Sequence, residues 1–79
     1  MPEISQQCAI TGIGDDYFLV SGKFHLEKIL FDEYTQFFIN EQPAKAKDFA
    51  MGDVITVTFN QIYKRYNPKV AVANKIVKN

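Results

Sequence analysis

Four consecutive residues late in the chain, Tyr63-Lys64-Arg65-Tyr66, interleave aromatic rings with cations. A flat ring stacks on an unpaired base, worth about 1–3 kcal/mol per base, and a neighbouring cation neutralises the adjoining phosphate. Lys69 and Lys75 carry the positive character into the following segment, and Tyr17 and Lys23 share one parity of an earlier alternating segment. The chemistry these residues imply is the holding of single-stranded DNA or RNA. Catalysis is not implied. The single Cys8 has no disulfide partner and no adjacent base to activate it, and with only His25 beside it a Cys/His zinc site is out of reach. Asp15-Asp16 and Asp32-Glu33 are paired carboxylates, but each pair reads as a turn, where adjacent side chains diverge. Gly12 and Gly14 lack the rest of any phosphate-cradling motif. The expectation is a binding protein, with no enzyme activity, cofactor or metal.

Short strands separated by turn signals must position these groups. Ser5 to Ile13 reads as the opening strand and Gly14-Asp15-Asp16 as a tight turn. The clearest period of two follows, with Phe18, Val20, Gly22, Phe24 and Leu26 on one face and Tyr17, Leu19, Ser21, Lys23 and His25 on the other. A glycine inside such a run predicts a bend or bulge at Gly22, of the kind that lets a small sheet curl. Between Leu26 and Ile39 two patterns compete. Leu26, Leu30, Tyr34 and Phe37 or Phe38 keep helical spacing, with Glu27 or Lys28 on the surface. A hairpin instead places Ile29-Leu30-Phe31 and Tyr34 to Asn40 as strands around Asp32-Glu33, which the β-branched and aromatic content favours. Phe37 and Phe38 alternate in direction, so one of them faces out.

Asn40-Glu41-Gln42-Pro43 is a further turn, and Ala44 to Ala50 an edge segment or connection. Gly52-Asp53 introduces Val54-Ile55-Thr56-Val57-Thr58-Phe59, a strand expected to reach about Tyr63. Asn67-Pro68 closes a turn, and Val70, Val72 and Ile76 mark the last strand. The chain has 79 residues, room for one domain over 1–79. Five or six strands with at most one short helix predict an all-β, small antiparallel barrel.

The charges balance to zero but are unevenly placed. Every acidic residue lies between Glu3 and Asp53, while Lys64, Arg65, Lys69, Lys75 and Lys78 stand in a closing stretch without acids. Such asymmetry points to a polyanion surface at that end. The start of the chain lacks signal-peptide character and no apolar run is long enough to span a bilayer, so a cytoplasmic protein without membrane contact is expected.

Gly52-Asp53-Val54-Ile55-Thr56-Val57 resembles the opening of the fourth strand of an OB-fold. Lys64 to Pro68 then takes the place of the loop joining strands four and five, and Val70 to Val77 resembles strand five. The bacterial single-strand-binding and primosomal proteins share this order, with a basic and aromatic hairpin in that loop. The resemblance implies an OB-like barrel gripping single strands through Tyr63 to Tyr66. The acidic C-terminal tip of that group is absent, since this chain ends Lys75-Ile76-Val77-Lys78-Asn79. Phe38 to Lys45, followed by Gly52 to Val57, is also similar to the hairpin half of the S4 RNA-binding domain. Glu41 stands there in place of the usual glycine, and the interval from Leu26 to Asn40 is too short for that domain's two helices.

A plainer account stands beside these. Lysines on a terminal strand discourage edge pairing, and Tyr63 shares parity with Ile55, Val57 and Phe59 and could close the core. The neutral net charge and acid-rich first two-thirds suit better a protein-interaction module that docks through its acidic face or sheet edge, and a homo-oligomer would protect exposed edges.

Overall fold

A computed structural model describes residues 3–22, 26–63 and 69–78. Strict alternation builds the first strand, β1 (Ile4–Ile13), with Gln6, Cys8 and Ile10 turned inward. The turn Gly14-Asp15-Asp16 returns the chain as β2 (Tyr17–Gly22), with Phe18 and Val20 inward. Between Ile10↔Val20 and Gly12↔Leu19, β1 carries one extra residue, Thr11. The bulge therefore sits on β1 and not at Gly22, where it was expected.

Gly22 has a different task. A methyl there would fall 2.8 Å from Gln6 Nε2 and 2.9 Å from Cys8 Cβ, so only glycine fits where β2 meets β1. The strand also ends there. The run Phe18 to Leu26 is two strands, β2 and β3 (Leu26–Leu30), paired antiparallel with Tyr17↔Leu30, Phe18↔Ile29 and Leu19↔Lys28. The inward residue of β3, Ile29, is odd-numbered where Phe18 and Val20 are even, so the period of two does not run on from β2 into β3.

No helix forms between Leu26 and Ile39. Both expected strands exist, as β3 and β4 (Gln36–Ile39), but they do not pair with each other. Each runs parallel to the last strand, β7 (Lys69–Lys78). β3 ends on Leu30↔Val72, and β4 resumes the same edge at Gln36↔Lys75. The residues between make a jog in place of a reversal. Asp32 Oδ1 accepts the Tyr34 amide at 2.9 Å, and the Thr35 amide donates to the Asp32 carbonyl at 3.1 Å. The Thr35 hydroxyl then donates to the Ala73 carbonyl at 2.7 Å, docking the jog on β7. The reversal comes one strand later, where Asn40 and Glu41 (φ 50° and 70°) turn β4 into the short β5 (Gln42–Pro43). Two positive-φ residues make a type I′ turn.

A 3₁₀ turn (Ala46–Asp48) leads to Gly52 (φ 91°) and β6 (Val54–Tyr63), which reaches Tyr63 as expected. β6 lies between β1 and β7, and β7 also pairs with β3. The five strands β1, β2, β3, β7 and β6 thus close a small all-β barrel, as the sequence predicts, with a parallel seam at β3–β7. Ile10, Phe18, Ile29, Ile55, Val57, Phe59 and Ile76 are fully buried in it. One end is closed by four rings: Phe18–Phe31 at 4.9 Å, Phe31–Phe37 at 5.2 Å, and Phe37–Phe49 and Phe49–Phe18 both at 5.8 Å between centroids. Tilted and edge-on geometries of this kind match ring edges to ring faces.

The expected alternation of β7 is corrected by a second bulge. The pairing steps from Thr58↔Lys75 to Phe59↔Ala73, leaving Asn74 extra. Ala71 and Ala73 turn inward before it and Ile76 after it, while Val72 is only half-buried. Small residues there leave room for Phe59, directly across from Ala73. At the far end of β7, Lys78 Nζ meets Asp53 Oδ2 at 3.0 Å. The Ala50 amide and this ammonium hold the Asp53 carboxyl below its ordinary pKa.

Candidate functional site

The turn after β1 is so tight that β2's outward side chains fold back over β1. Leu19 lies on Gly12 and Tyr17 on Gly14, whose missing methyl would fall 2.1 Å from the Tyr17 ring. The β2–β3 register sets Lys28 diagonally across from Tyr17, with its ammonium 4.3 Å from the ring centroid. The outer face of β2, β3 and β7 therefore presents a row Tyr17–Leu30–Val72 and, next to it, the neighbours Leu19 and Lys28. Tyr17 is half-buried and Leu19 exposed. Exposed carboxylates border the face at Asp15, Asp16 and Glu27.

Of the residues singled out in sequence, Tyr17 lies on this outer face as expected. Lys75 is exposed on β7 between Thr58 of β6 and Gln36 of β4. It lies two strand spacings across and three residues along from Tyr17, roughly 10 Å in each direction. Lys23, Lys64, Arg65 and Tyr66 lie outside the described residues, as do His25, Phe24 and Asn67-Pro68. Tyr63 ends β6 and Lys69 begins β7, but their side chains are likewise outside. The β6–β7 register shifts between Phe59 and Ile62. Leu26 pairs with Lys69 and Tyr63 with Val70, so β3 begins, β6 ends and β7 begins at one end of the barrel.

Lys28 is the residue that sequence reasoning missed. The β2–β3 register alone would have found it, because Leu19↔Lys28 puts it beside Tyr17. The paired Phe37 and Phe38 do divide. Phe37 joins the ring cluster, and Phe38 is half-buried opposite Pro43 and Val77. Cys8 is buried, which pushes its thiol up to about 11, so it is protonated and shielded at neutral pH. Among the described residues no three His, Cys, Asp or Glu gather where they could hold a metal. No described helix is long and apolar enough to cross a membrane.

No protein-family model matches the chain, and no curated protein matches it. Among solved structures it is similar to the crystal structure of Ag(I)CusF, at 12% identity and a TM-score of 0.61, over 100% of both chains. That likeness shows the fold: a small OB-type barrel.

Proposed function

We propose that this OB-type barrel is a non-catalytic binding protein that holds single-stranded nucleic acid. The observation that carries the proposal is the Tyr17 ring with the Lys28 ammonium 4.3 Å from its centroid, on the outer face of β2 and β3. OB-folds receive oligonucleotides on that face and on the loops that follow strands one and four. In this chain those loops are Gly14 to Asp16 and the β6–β7 connection. Tyr17 stacks a base. Tyr63 at the end of β6 and Tyr66 beyond it supply further rings, and Lys23, Lys64, Arg65, Lys69 and Lys75 neutralise phosphates.

CusF is solved with silver(I), a soft ion that selects thiolate, thioether and imidazole donors. The described residues do not fit it. Their soft donors are Cys8, buried in the core, and Met51, two-thirds exposed in the turn before β6.

A fluorescence titration with a mixed-sequence single strand, and with its duplex, tests the proposal at two salt concentrations. The single strand binds, the duplex binds more weakly, and affinity falls as salt rises because condensed cations are released. Tyr66→Ala weakens binding by roughly 1–3 kcal/mol and leaves the thermal midpoint in place. A flat titration at low salt removes the proposal. It would favour a protein partner instead, docked where the Phe31 amide donates to the Asp16 carbonyl and draws Asp15, Asp16, Asp32 and Glu33 to one rim beside the exposed Tyr34.

A further inference from the structure

We infer that Lys28 caps the stacking face of Tyr17, and that a bound strand displaces it from the ring to a phosphate. This rests on the single-strand reading above and specifies how one of its contacts forms.

The Tyr17 ring has a neighbour on each flank. A methyl on Gly14 would fall 2.1, 2.3 and 2.6 Å from Cε1, Cζ and Cδ1. Those distances rise too slowly for a position beyond the ring's edge, so the Gly14 backbone lies against a ring face. Lys28 Nζ stands over the ring, 4.3 Å from its centroid. Gly14 belongs to the β1 side of β2 and Lys28 to the β3 side, since β1 and β3 flank β2 on opposite sides. Both faces are therefore occupied, and no base stacks on Tyr17 while both neighbours stay.

The two neighbours differ in what they can yield. Gly14 is held in the turn by its amide, which donates to the Tyr17 carbonyl at 2.9 Å. Lys28 sits on a flexible four-carbon stem, and among the described residues no carboxylate lies within salt-bridge distance of it. A phosphate arriving with the base offers that ammonium a charge-assisted hydrogen bond, stronger than its contact with the ring. The ring face opens as the cation leaves.

Proton NMR of the full chain with a short mixed-sequence deoxyoligonucleotide reads the exchange directly. In the free protein the Lys28 ε-methylene protons lie upfield, shielded by the ring current. As the strand saturates the protein they return to the position of an exposed lysine, while the Tyr17 ring protons shift. Lys28 protons that stay upfield while other resonances saturate overturn the cap and leave the single-strand reading standing. If no resonance moves even at low salt, that reading falls and the cap with it.

Lys28→Ala gives a second, independent measurement. At low salt it binds more weakly than the parent, and its log–log salt slope is shallower by about 0.7, one phosphate contact on a single strand. At high salt, where the lost contact is screened, it binds about two- to five-fold tighter, the worth of removing an exposed cation–ring contact. Affinity curves that merge at high salt without crossing overturn the cap.

Discussion

Thr35 is easily passed over in the sequence as one more strand-forming residue. In the fold its hydroxyl is buried, accepts the Asp32 amide at 3.0 Å and donates to the Ala73 carbonyl at 2.7 Å. It stands in for the ladder bond that β7 loses where β3 gives way to β4. Thr35→Val keeps the shape and removes the hydroxyl, leaving both groups without that partner. The variant should lose about 1–3 kcal/mol in urea denaturation, and Thr35→Ser should recover most of it. Residues with one environment to choose from were legible at this scale. Tyr17 fell on the outer face that its parity gave it. Residues whose meaning depends on a partner were not: Thr35 needs Ala73, and Lys28 needs Tyr17.

The strands themselves were legible as elements, because alternation and β-branched content are local. Their pairing was not. Ile29 meets Ala71 and Phe37 meets Ile76, about 40 residues away along the chain, and no local pattern announces such a partner. The bulges at Thr11 and Asn74 add to the difficulty, since each reverses the inward parity of its strand from that point on. The β4–β5 turn offers a test of what the local rules do capture. Glu41 holds φ 70°, where a Cβ crowds the following carbonyl. Glu41→Gly creates the Asn-Gly pair that type I′ turns prefer and should raise stability by about 1 kcal/mol, measured as a higher denaturation midpoint at constant m-value.

For the molecule as a whole, the high aromatic content is explained by the plug. Phe18, Phe31, Phe37 and Phe49 come from β2, the jog, β4 and the turn before β6, and meet in one ring of contacts. Phe49, at 5% exposure, is supplied, like Phe31, from outside the strands. Phe49→Ala should cost about 3–5 kcal/mol. A domain this small holds on the order of 5 kcal/mol in total, so circular dichroism should find the variant largely unfolded near body temperature. The candidate site was half legible at this scale. An outward Tyr17 follows from alternation, whereas its neighbourhood follows from how the sheet closes.

That closure makes β7 the keystone of assembly. It touches β6, β3 and β4 at once, and two of those three partnerships are parallel, so no hairpin can form them early. Until Lys69–Lys78 has left the ribosome, β3 and β4 have no ladder to join and the phenylalanine plug has only part of its frame. The nascent barrel must therefore wait, open and apolar, for β7, and its formation should be slow for a domain of this size.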